Sequence, residues 1–165
     1  MERELRKAKS DLKLCGVGAM IFGVWLFLKS ILYNLFAKDY MTSLMQINDM
    51  DLSDRNILML GLFIFYFVVM LVHLYVGLRS VQDAGDNAKH RRFYLIVAAL
   101  LLIADAAIIP ADIINERETT PPFDLACELV FELVRVVNLA FLLAAAYKVR
   151  KLSVKEEKES VPDAD

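Results

Sequence analysis

DLACELVFELVRVVNLAFLLAAAYK, Asp124 to Lys148, is long and apolar enough to cross a bilayer, yet it carries Glu128, Glu132 and Arg135. At 100° per residue these three fall within a sector of roughly 60° on one side of a helix. A charge inside hydrocarbon costs at least about 2.5–3.5 kcal/mol, so such groups turn from lipid and find partners in protein. The stretch therefore predicts a membrane helix whose polar side is covered by other helices, and the rest of the chain has to supply them.

Three more segments meet the length of about 20 residues that a crossing needs. Residues 57–78 contain no Lys, Arg, Asp or Glu. Residues 14–36 are interrupted only by Lys29, and residues 93–114 by Asp105, Pro110 and Asp112. Of the 165 residues 58% are hydrophobic, more than a soluble domain of this length usually carries. Four such helices would leave too little polar sequence to cover them in water. The expected fold is all-α: a polytopic membrane protein forming an antiparallel bundle of four transmembrane helices over 14–148. Residues 1–13 form an N-terminal arm, read as a solvated extension of the first span, and 149–165 a charged tail expected to be disordered. The first span is too long for a signal-peptide core and lacks a small-x-small cleavage site, so it is read as a mature helix.

Charge distribution sets the orientation. Basic residues crowd the arm (Arg3, Arg6, Lys7, Lys9, Lys13), the second loop (Arg79, Lys89, Arg91, Arg92) and the tail (Lys148, Arg150, Lys151, Lys155, Lys158). The first loop has only Lys38 and Arg55, and the third only Arg117. Lys and Arg in short loops mark the cytoplasmic side, so a cell membrane protein with both termini in the cytoplasm is expected. The net charge of −2 gives no case for nucleic acid. The partners expected are the bilayer, and a second copy or another membrane protein. Cys15, Ala19 and Gly23 supply the small-residue stripe that lets a helix approach closely.

Counting along the helices from their cytoplasmic ends places Asp105 and Arg135 both at a depth of roughly 18–20 Å, and Lys29 and Glu132 both at roughly 24 Å. Opposite charges thus share a layer where water is scarcest, which predicts an intramembrane network of Lys29, Asp105, Glu132 and Arg135. Tyr66, His73 and Asn138 are candidates for polar support. Asp112 and Glu128 come at roughly 28–30 Å, with no basic partner inside the membrane. Two carboxylates side by side in low dielectric do not both ionise cheaply, so they form a candidate cation or proton site open to the outer face. Pro110 leaves the Ala106 carbonyl without its helical donor, and irregular backbone at this depth is tolerated only where protein or water satisfies it.

Enzymatic chemistry is not expected. The sequence shows no nucleophile–base pair and no metal triad, and no C-x-x-C for redox work. The two cysteines, read as buried thiols, lie roughly a bilayer apart and are too distant to bridge. A lone His73 gives no second imidazole for haem, so no cofactor is expected. The chain also departs from three four-span or glutamate-bearing patterns. Its fourth span lacks the basic residue at every third position that voltage-sensor domains carry. ELVFELVR spaces its acids four apart rather than adjacent as in CAAX-type intramembrane proteases. Its charge set is richer than the single glutamate of small multidrug transporters. The reading is therefore a non-enzymatic membrane protein whose charge network orders its helices and which serves as a scaffold or partner-binding protein. The alternative is a proton- or cation-coupled small transporter or channel using Asp105, Asp112, Glu128 and Glu132.

Overall fold

The computed structural model describes residues 2–36, 52–85, 93–116 and 122–160. They form four helices: α1 (Glu2–Phe36), α2 (Leu52–Asp83), α3 (Phe93–Glu116) and α4 (Pro122–Ser160). All four are long and apolar enough to span a membrane. Their stops follow local chemistry. α2 closes with the Ala84 N–H donating to the Ser80 carbonyl and the Gly85 N–H to the Gln82 carbonyl, each at 3.1 Å. α4 opens on Pro122, where the missing N–H is one that the first turn leaves unbonded anyway. α3 runs through Pro110 without losing its helical assignment. The spacing of Tyr40, Leu44 and Ile47 also predicts a short interfacial helix, and Thr119 or Thr120 is a predicted cap for α4; these positions lie outside the described residues.

Two ends differ from expectation. α4 has 39 residues, about 58 Å at 1.5 Å per residue, against a hydrocarbon core of about 30 Å. The tail expected to be disordered from 149 is helical to Ser160, with Val149 fully buried. The arm at 2–13 is not a solvated extension either, because Leu5, Ala8 and Leu12 are buried. Glu2 and Arg6 pair on its exposed face, one turn apart. The physical reason is a pair of stripes that ignore the expected membrane boundary. Leu5, Ala8, Leu12, Cys15 and Ala19 recur at intervals of three and four, as do Leu139, Leu142, Ala146 and Val149. Such spacing keeps one helix face toward a partner over many turns. Outside the hydrocarbon the competing solvent is water, so burial there is driven by the hydrophobic effect. Within it, close packing and polar contacts must do the work.

The chain divides into two compact units. The first contains residues 1–19 and 75–165 and draws its core from every helix. Leu5, Ala8, Leu12 and Ala19 come from α1, Val76 from α2, Tyr94 and Ala98 from α3, and Leu139, Leu142, Ala146 and Val149 from α4. Here α3 packs along α4. α1 meets α2 at Gly16, where a Cβ would stand 2.9 Å from both the Gly77 carbonyl oxygen and the Ser80 Cβ.

The second unit is residues 20–74, one stretch each of α1 and α2. Phe27 sits between Phe63 and Phe67, its ring 5.2 and 5.5 Å from theirs. At Gly23 a Cβ would lie 2.5 Å from the Cβ of His73, closer than real atoms approach. Of the small-residue stripe of α1, Gly23 is thus met by α2 of the same chain, while Cys15 lines a crevice with α4. Gly16, beside the stripe, makes the other close approach to α2.

Candidate functional site

The buried stripe of α4 begins with charge. Glu132 and Arg135 are 9% and 5% exposed, and they precede the apolar Leu139 and Leu142 on the same face. α3 presents Asp105, on the face it shares with buried Tyr94 and Ala98. The packing of α3 on α4 brings the Arg135 Nε to 3.0 Å from the Asp105 Oδ2, with 6% of either side chain exposed. Removing one member of a buried pair costs about 3–5 kcal/mol, because the other charge is left behind. This contact therefore orders the helices.

Lys29 is half-buried on α1, and Glu132 is buried on α4. Glu128 is half-buried on α4, one turn before Glu132. Asp112 lies on α3, but its side chain is outside the described residues. Asn138 donates from Nδ2 to the Cys15 carbonyl at 3.1 Å, tying α4 to α1. Gly18 leaves room for it, since a Cβ there would be 2.6 Å from the Asn138 Oδ1. Tyr66 and His73 belong to the second unit. Tyr66 is half-buried and meets the Phe65 ring edge-on at 5.6 Å. His73 is fully buried, and its Nδ1–H donates to the Val69 carbonyl at 2.9 Å. That bond holds the ring against its own helix. Cys127 is exposed and Cys15 half-buried, so only one of the two thiols fits the expectation of burial even in part.

A second polar cluster went unread in the sequence. Asp83, at the end of α2, is 5% exposed. It accepts a hydrogen bond from the Tyr94 hydroxyl of α3 at 2.7 Å. The same carboxylate oxygen lies 3.9 Å from the Arg150 Nη2 of α4. Nearby, the Ser80 hydroxyl donates to the Val76 carbonyl at 2.8 Å, and the Arg79 guanidinium lies over the Tyr75 ring at 5.7 Å. Three helices therefore converge on one carboxylate. The available signal was the apolar stripe of α4, which continues through Val149 and carries Arg150 into the packed region.

Chemically, both clusters bind charge to charge. Among the described residues no group of three or more His, Cys, Asp or Glu side chains is placed to hold a metal ion. No protein-family model, curated protein or solved structure matches this chain.

Proposed function

We propose that the chain is a multi-pass integral membrane protein, an antiparallel four-helix bundle with both termini in the cytoplasm, acting without catalysis as a scaffold or partner-binding protein. The observation that carries this reading is the Asp105–Arg135 contact, in which a buried acid is used to hold α3 to α4. The four long apolar helices support insertion, and the crowding of Lys and Arg in the arm, second loop and tail supports the orientation. The exposed apolar side chains of α2, among them Phe63, Phe65 and Phe67, offer the surface for lipid or for a partner helix.

The test has two readouts on the same full-length protein. A photo-crosslinking residue at Phe65 in intact membranes should yield a discrete protein adduct, and lipid adducts alone would overturn the partner role. Reconstituted liposomes should show no more proton or cation flux than empty ones. A flux that disappears in Asp112→Asn or Glu128→Gln would replace the scaffold reading with the carrier one.

A further inference from the structure

We infer that a crevice between α1 and α4 holds one phospholipid whose headgroup ends in a primary ammonium, the ethanolamine class. The inference rests on the membrane reading above. The crevice is open on one side and has a volume of about 390 Å³. Its walls include Asp11 and Leu14 of α1 and Phe141, Ala144, Ala145 and Lys148 of α4.

Two features point to this occupant. The first is polarity along its length. α1 touches α4 where Gly18 meets Asn138. Moving from that contact toward the start of α1 and the end of α4 leads to Asp11 and Lys148, so both charges lie at one end of the crevice. Leu14, Cys15, Phe141 and the two alanines line the rest, and the alanines leave open the space that larger side chains would fill. The sequence places Asp11 and Lys148 at the edge of the first and fourth spans, the level of lipid headgroups, where an anionic and a cationic side chain stand over an apolar slot.

The second is the pairing of charges. A zwitterionic headgroup presents a phosphate to the Lys148 ammonium and a cation to the Asp11 carboxylate, while an acyl chain lies against Leu14 and Phe141. A carboxylate accepts charge-assisted hydrogen bonds from a primary ammonium. A trimethylammonium has no N–H to give, and a glycerol headgroup brings no cation. Ethanolamine phospholipid is therefore selected over the choline and glycerol classes.

The full chain would be reconstituted in liposomes containing equal parts dioleoyl phosphatidylethanolamine, phosphatidylcholine and phosphatidylglycerol. After extraction in mild detergent, native mass spectrometry counts the lipids retained. Co-flotation with the liposomes is scored first, so a failure of the membrane reading is seen separately from a failure of lipid selection. The expected result is one phosphatidylethanolamine per chain, favoured about tenfold over the other two, the factor one charge-assisted hydrogen bond supplies. Asp11→Asn should abolish the preference, and Ala145→Leu should exclude the lipid. Should Ala145→Leu misfold, Lys148→Gln, at an exposed site, gives the same readout. Equal retention of the three lipids, or unchanged selection in folded Asp11→Asn, overturns the proposal.

Discussion

Replacing Arg135 with methionine removes the cation from a contact of 3.0 Å whose partners are each 6% exposed, and it strands Asp105 between α3 and α4. The expected loss is about 3–5 kcal/mol, the usual cost of orphaning one member of a buried pair. Unfolding in mixed micelles, followed by circular dichroism, should show that deficit for Arg135→Met. Asp105→Leu combined with Arg135→Met should return to within about 1 kcal/mol of the natural chain, because the charge and its desolvation are removed together. A double variant as weak as the sum of its singles would refute the reasoning.

Three further outcomes follow from the packing. Gly23→Ala places a Cβ 2.5 Å from the Cβ of His73 and should cost about 1–3 kcal/mol by overpacking, whereas nothing lies within 4 Å of a Cβ at Gly61. Gly61→Ala should thus be neutral or up to about 1 kcal/mol more stable, and equal melting shifts for the two would contradict the helix contact. Tyr94→Phe removes the buried donor to Asp83 and should cost about 1.5–3 kcal/mol in the same unfolding assay; a change below about 0.5 kcal/mol would deny that the bond matters. Ser153→Pro tests the extension of α4: a helix interior there predicts a loss of about 3 kcal/mol, and a disordered tail predicts none.

The four long apolar helices were legible because runs of about 20 apolar residues are long enough to span a bilayer. Asp105 and Arg135 were legible as a pair because residue counts convert directly to depth when helices start near one plane. What escaped lies at that plane itself. Asp83, Tyr94 and Arg150 sit in or next to charged sequence, where solvation is the ordinary state of a charge, and they meet only through packing between distant parts of the chain. The helical tail was missed for a related reason. KEEKES has the composition of a disordered segment, but Val149 and Leu152 extend the stripe of Leu139, Leu142 and Ala146 past the last apolar run. Reading that three-and-four spacing across the boundary, rather than hydropathy up to it, would have recovered both the tail and the buried face of the arm.

Besides the Asn138 bond to α1, α4 is fastened by charged contacts at two points. Arg135 and Arg150 lie about 22 Å apart along its axis and roughly 60° apart around it, and they reach different helices, α3 through Asp105 and α2 through Asp83. A single bolt would let the rod swivel, but two set its height and its angle together. Slippage by one residue, about 1.5 Å and 100°, would therefore break both fastenings at once.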